Sequence, residues 1–170
     1  MAVDENRVEV GIELDGASRT MTVPGDETLL ETLRERCDRT SVRYSCGIGV
    51  CGTCTVLVDG DPVSSCLLLT AMVDGRAVTT AEGQVPAGEL SAAQRAFVEA
   101  GAFQCSYCIP GMALTAQAAA DRDPGITVDE LCEELAGNLC RCGSYPQVRA
   151  ALERLVGVRA STPHRPEESS

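Results

Sequence analysis

At 170 residues the chain has room for one domain or two small ones, and with two Phe, three Tyr and no Trp neither would hold a large aromatic core. A net charge of −11 excludes a nucleic-acid-binding face, which needs a basic surface, and is suited to a solvated acidic exterior. No apolar run approaches the length of a membrane span, so direct membrane insertion is not expected.

From the N-terminus, Val8, Val10, Ile12 and Leu14 alternate with polar residues, and Asp15-Gly16 then leads into a second short run from Arg19 to Val23, the pattern of a β-hairpin. Asp26 is placed to cap a helix that carries Leu29, Leu30, Leu33 and Arg36. A cysteine- and glycine-rich loop follows. Thr55 to Val58, an Asp59-Gly60 turn and a strand at Val63 form a second hairpin, and a last short strand lies around Ala77 to Thr80. From about Ala81 the composition turns Ala-rich and helical. Ser91-Ala92-Ala93-Gln94 is a capping box opening a helix stopped by Gly101, and Pro110 suits the first turn of a helix to about Ala120. Asp123-Pro124-Gly125 breaks the chain, and Thr127 to Glu130 is a second capping box whose helix ends at Gly137. A fourth helix from about Pro146 to Val156 puts Val148, Ala151, Leu152 and Leu155 on one face, and a polar tail, expected to be disordered, begins after Gly157. The expected organisation is α+β: an N-terminal β-grasp ferredoxin-like domain over residues 1–80, an all-α four-helix domain over 81–157, and a tail over 158–170.

Eight of the ten cysteines stand in two ladders. Cys46, Cys51, Cys54 and Cys66 are spaced C-x4-C-x2-C-x11-C, the plant-type ferredoxin run whose four thiolates hold a 2Fe-2S cluster. Three glycines between Ser45 and Cys54 let the loop curl so that backbone N–H groups reach the sulfurs, and the second hairpin carries Cys66 back to it. Cys105, Cys108, Cys140 and Cys142 are spaced C-x2-C-x31-C-x-C and fall in two interhelical loops that a helical bundle can bring together. Disulfide scaffolds belong to short secreted chains, and Met1 to Asn6 has neither the basic nor the apolar region of a secretory signal. The first ladder is not a common zinc spacing, but the C-x2-C of the second is a generic zinc half-site, so on spacing alone zinc stays open there.

Other residues invite less. Cys37 and Cys132 lie apart from both ladders and are expected in the core, since free Cys is among the most buried residue types. His164, the one histidine, falls in the expected tail, so a histidine-based triad or metal site has no support. Tyr44, Tyr107 and Tyr145 flank the ladders and are expected to shield them from water, and Asp59-Gly60-Asp61 fits a hairpin turn better than a calcium loop.

The two ladders in this order, with Gly-Ala-Phe-Gln-Cys-Ser-Tyr-Cys-Ile-Pro-Gly-Met over 101–112 and Gly-Asn-Leu-Cys-Arg-Cys over 137–142, resemble the iron–sulfur subunit of the molybdenum hydroxylases. That family includes xanthine dehydrogenases, aldehyde oxidoreductases and aerobic carbon monoxide dehydrogenases. The resemblance spans roughly residues 7–157 and implies a 2Fe-2S cluster on each ladder, displacing zinc from the second. It implies that Cys105, Cys108, Cys140 and Cys142 ligate the cluster nearer molybdenum, and Cys46, Cys51, Cys54 and Cys66 the outer one. Gln104 matches the glutamine that hydrogen-bonds the pterin of the molybdenum cofactor, with Cys142 beside it on the cofactor side. Ser106 stands where the family usually has Gly, and Gly143-Ser144 replaces a usual Thr-Gly.

The expected function is electron transfer within a molybdopterin-dependent oxidoreductase: electrons pass from molybdenum in a large partner subunit through both clusters to FAD in a medium subunit or another acceptor. No substrate chemistry occurs on this chain. A free-standing ferredoxin or iron–sulfur regulatory module is the alternative, and it would need neither Gln104 nor the helical half. Without a twin-arginine signal, the expected location is the cytoplasm.

Overall fold

The computed structural model describes residues 6–85 and 88–161. Strands β1 (Arg7–Leu14) and β2 (Ala17–Pro24) form an antiparallel hairpin, followed by one turn of helix α1 (Leu29–Glu31) that widens into a π-helical turn over Thr32–Arg36. A long loop leads to β3 (Thr55–Val58) and β4 (Asp61–Ser64), then a 3-10 turn (Thr70–Val73) and β5 (Ala77–Thr79). The five strands make one mixed sheet in the order β2-β1-β5-β3-β4, with β1 and β5 parallel and the other neighbours antiparallel. Both hairpins turn on Asp-Gly with positive φ at each residue, +51° and +77° at Asp15 and Gly16, +51° and +91° at Asp59 and Gly60. Those values match the type I′ geometry whose twist suits paired strands. Val10, Ile12 and Leu14 on β1 point inward with Val56 and Val78 onto Leu29, Leu30 and Leu33.

Helix α1 starts two residues later than the sequence reading placed it. Thr28, not Asp26, is the cap: its hydroxyl accepts the Glu31 N–H, and the Glu31 carboxylate accepts the Thr28 N–H. Asp26 has no matching glutamate three residues on, and Thr28 has one.

The second half packs α2 (Ala92–Glu99), α3 (Ile109–Arg122), α4 (Val128–Glu134) with a 3-10 extension (Leu135–Gly137), and α5 (Tyr145–Ser161). Its core is separate from that of the sheet. Phe97 of α2, Met112, Ala113 and Ala116 of α3, Leu131 of α4, and Val148, Leu152 and Leu155 of α5 are all buried together. Small Ala side chains on α2 and α3 let the helices approach closely. Both expected capping boxes form, Ser91 with Gln94 and Thr127 with Glu130. Helix α5 does not stop at Val156 but runs through Gly157 to Ser161. One glycine costs a helix only about 1 kcal/mol, which the packing of Leu155 and Val156 against the core offsets. The rest of the expected tail, residues 162–170 with His164, lies outside the described residues. Among the described residues no helix is long and apolar enough to cross a membrane.

Candidate metal centres

The loop between Ser45 and Cys54 has no regular structure, and Gly47, Gly49 and Gly52 take φ of +68°, +73° and +64°. These left-handed residues turn successive N–H groups inward. The Ile48, Cys51 and Val50 N–H groups hydrogen-bond the Cys46 sulfur and bring its pKa down to about 6. Cys66 behaves oppositely: burial pushes it up to about 11, against a hydrogen bond from the Gly49 N–H. Thr53 Oγ1 donates to Cys51 Sγ at 3.3 Å. The four thiols interact in two pairs, Cys46 with Cys51 and Cys54 with Cys66. The first pair is half-buried and the second lies in the core of the sheet domain.

The second ladder repeats this plan on helix ends. Cys105 and Cys108 sit in the turn that enters α3, with Cys108 as its first cap residue, and Cys140 and Cys142 sit in the loop before α5. Cys105 and Cys142 meet at 3.4 Å between sulfurs, and Cys108 pairs with Cys140. Again one pair is buried, Cys108 with Cys140, while Cys105 is exposed and Cys142 half-buried. Burial pushes the Cys108 thiol up to about 12. Burial also opposes ionisation of Cys140, but hydrogen bonding led by the Ser144 N–H outweighs it and lowers its pKa. The Ser144 N–H lies 3.5 Å from the Cys140 sulfur, while the buried Ser144 hydroxyl makes no hydrogen bond of its own. The Cys140 N–H donates to Tyr145 Oη at 2.9 Å. All four thiols line a half-open cavity of about 480 Å³, whose far wall is Ser45, Cys51 and Thr53 of the first loop.

Among the described residues no three cysteine, histidine or acidic side chains converge as a single metal ion would require. The thiols are instead gathered two by two, as a two-iron cluster needs, since four thiolates shared by two irons place two on each. Inward-facing N–H groups, the Ser144 N–H among them, and the Thr53 hydroxyl supply the hydrogen bonds that a negatively charged sulfur centre requires. The residues present therefore fit 2Fe-2S clusters at both sites.

Gln104 is exposed, and its Nε2 donates to the Cys142 carbonyl at 3.1 Å, which ties it to the exposed thiol pair. Tyr107 and Tyr145 line the cavity, and Tyr44 stands 60% exposed, too open to act as a shield. Cys37 is buried in the sheet core, whereas Cys132 is only half-buried against the helical core, 3.6 Å from Arg149 Nη1.

The sequence reading missed what joins the two sites. The Leu139 N–H donates to the Cys51 carbonyl at 2.9 Å, and buried Asn138 donates through Nδ2 to the Gly52 carbonyl at 2.9 Å. A Cβ on Gly111 would stand 2.6 Å from that Gly52 carbonyl, so glycine lets α3 close on the first loop. On another side, Arg43 donates to the Ser106 carbonyl at 3.0 Å and lies 5.1 Å over the Tyr107 ring, while Tyr107 Oη donates to the Tyr44 carbonyl at 2.6 Å. Ser106 holds the left-handed φ of +63°, the conformation that the expected glycine would adopt without strain.

Residues 12–82 match the family described as the 2Fe-2S iron-sulfur cluster binding domain, and residues 80–153 match a 2Fe-2S binding domain. The chain is 41% identical over 151 residues to the nicotinate dehydrogenase small FeS subunit of Eubacterium barkeri, covering 89% of this chain and 96% of that protein. It is 46% identical over 128 residues to the xanthine dehydrogenase iron-sulfur-binding subunit of Escherichia coli O157:H7, covering 74% and 79% respectively. Among solved structures it superposes on a chain of quinoline 2-oxidoreductase from Pseudomonas putida 86 with a TM-score of 0.85 and 31% identity, over 94% of this chain and all of that one.

Proposed function

The chain belongs to the small iron–sulfur subunits of the molybdenum hydroxylases, and from its two electron-transfer sites we propose a direction for the current and a residue for each end. The ligands of the inner centre are Cys105, Cys108, Cys140 and Cys142, and those of the outer centre are Cys46, Cys51, Cys54 and Cys66. Each bound 2Fe-2S cluster supplies a site that accepts and releases one electron.

The observation that carries the direction is the unequal exposure of the thiol pairs. At the inner site the exposed side holds Cys105 and Cys142, and Gln104 is bonded to it. That is where the molybdenum cofactor of a large partner subunit docks, with the Gln104 amide offering both a donor and an acceptor to the pterin edge. The inner thiols share one cavity with Ser45, Cys51 and Thr53 of the first loop, so the outer centre is entered on its Cys51 side. The chain's own residues bind the two centres, orient them and surround their sulfurs with donors. Substrate is oxidised on the partner. A medium subunit carrying FAD receives the electrons beyond the Cys46 loop.

Residues 1–80 and 81–157 act as two units, each folded round its own centre, which the separate cores support. Ten cysteines without a disulfide among them suit the reducing cytoplasm. The test is purification of the natural complex under mild conditions. Molybdenum, pterin and FAD should co-purify with this chain in fixed ratio, and an N-heterocycle or aldehyde substrate should bleach the iron–sulfur absorbance. An isolated chain that carries iron but is never found with a molybdopterin protein would move the reading to a free-standing ferredoxin.

A further inference from the structure

The two ligand sets are linked by a short run of bonds. From the Cys140 sulfur the chain runs back through its own backbone into Leu139, whose N–H meets the Cys51 carbonyl at 2.9 Å; the Cys51 sulfur is one side chain further. The link joins the buried pair of the inner site to the half-buried pair of the outer site. It does not touch Cys54 and Cys66, which are packed into the sheet core.

A single backbone hydrogen bond between two loops is easily opened, and this one is held by its neighbour. The consecutive carbonyls of Cys51 and Gly52 accept from the consecutive residues Leu139 and Asn138, the second through Asn138 Nδ2 at 2.9 Å. Asn138 is 5% exposed, its own N–H closes the turn onto the Leu135 carbonyl at 2.9 Å, and its amide also reaches Thr55 Oγ1 at 3.4 Å. The Thr55 hydroxyl donates to the same Gly52 carbonyl at 2.7 Å. Two-point attachment fixes both the separation and the register of the loops.

We propose that Asn138 is the positioning residue for electron transfer between the two centres, acting by clamping the Cys51 carbonyl onto the Leu139 N–H. The proposal rests on the electron-transfer reading above. One electron moves per event: the inner centre is oxidised by one electron, the outer centre is reduced by one, and no bond or proton is exchanged. Asn138 touches neither centre and works through Leu139.

The test uses the complete holo-complex with Asn138→Asp, which keeps the shape but replaces the donor by an acceptor, and Asn138→Leu, which removes both. Four quantities are followed: iron content, hydrogen exchange of the segment 138–142, electron transfer between the centres after photochemical reduction, and the magnetic interaction between the two reduced centres. With iron content unchanged, exchange at Leu139 should rise about fivefold, the equivalent of losing one hydrogen bond of ~1 kcal/mol. Transfer should slow, and the magnetic interaction should weaken. Faster exchange with unchanged transfer and unchanged interaction would make Asn138 purely structural and overturn the proposal, as would no change in any quantity. If either variant loses a centre, Thr55→Val decides: removal of its hydroxyl from the Gly52 carbonyl should slow transfer in the same direction, and an unaltered rate overturns the proposal. Photochemical reduction needs no molybdenum, so a failed partnership leaves this result standing. A parent protein with one centre or none would refute the underlying reading instead.

Discussion

Replacing Gly52 by alanine would put a methyl group where the two cysteine loops meet. The new Cβ would stand 2.5 Å from the Gly137 carbonyl oxygen and 2.6 Å from Asn138 Nδ2, at a φ of +64°. Neither neighbour retreats cheaply, since one is backbone and the other a buried amide with its own hydrogen bonds. The left-handed conformation costs a Cβ-bearing residue roughly 1 kcal/mol, and the overpacking adds about 1–3 kcal/mol, giving ~2–4 kcal/mol. For a chain of this length each kcal/mol lowers the melting temperature by about 2–4 °C, so the expected fall is about 4–16 °C. Gly60 is the control, with a φ of +91° and nothing within 4 Å of an added Cβ. Gly60→Ala carries the conformational cost alone, about 2–4 °C. Melts of the holo-protein are followed by circular dichroism and by visible absorbance of the iron–sulfur centres. Gly52→Ala should melt well below Gly60→Ala and lose the visible bands first. Two variants that melt together would mean that the loops do not pack as described.

Ser106→Gly should relieve the left-handed φ of +63° and raise stability by about 0.5–1 kcal/mol in a denaturant titration; a loss of stability would mean the serine side chain has a role of its own. The Arg36 guanidinium donates two hydrogen bonds to Glu27, and the Thr32 hydroxyl a third, holding its carboxyl below the ordinary 4.5. A lowered folded-state pKa gives stability that is present above about 4.5 and lost as pH falls through the folded value; Arg36→Gln should flatten that acid limb by up to ~1 kcal/mol, and an unchanged profile would discount the pair. Gln104→Ala should leave iron content unchanged and stability within about 0.5 kcal/mol, because the side chain is exposed, while slowing reduction of the inner centre by substrate or loosening cofactor retention. Unchanged reduction kinetics would remove Gln104 from the entry side.

Local signals were legible and long-range ones were not. The Asp-Gly pairs at 15–16 and 59–60 specify their turns because both residues must take positive φ, and the capping boxes at Ser91 and Thr127 close within four residues. The ladders were readable because ligand chemistry demands one residue type at fixed spacing. What the spacing could not show is which thiols pair, since Cys105 meets Cys142 and not its neighbour Cys108, through a return of the chain 37 residues later. The same holds for Asn138 and Gly52, 86 residues apart, and for Arg43 and Ser106, 63 apart, pairs with no local pattern in either partner. Periodicity also misled at the ends of helices. Leu29, Leu30 and Leu33 suggest a regular helix, but α1 widens into a π turn after one turn, and Gly157 suggests a stop that the packed face of α5 overrides.

Iron and acid-labile sulfide, counted per chain in protein matured with a full cluster-assembly system, test the two-centre claim most directly. Eight paired thiols in two seats predict four irons and four sulfides, and two distinct paramagnetic signals on reduction, because one seat is a glycine loop and the other a pair of helix ends. In a Cys51→Ser variant the outer signal should be lost and the inner one retained. Zinc in either seat, or only two irons in fully matured protein, would contradict it.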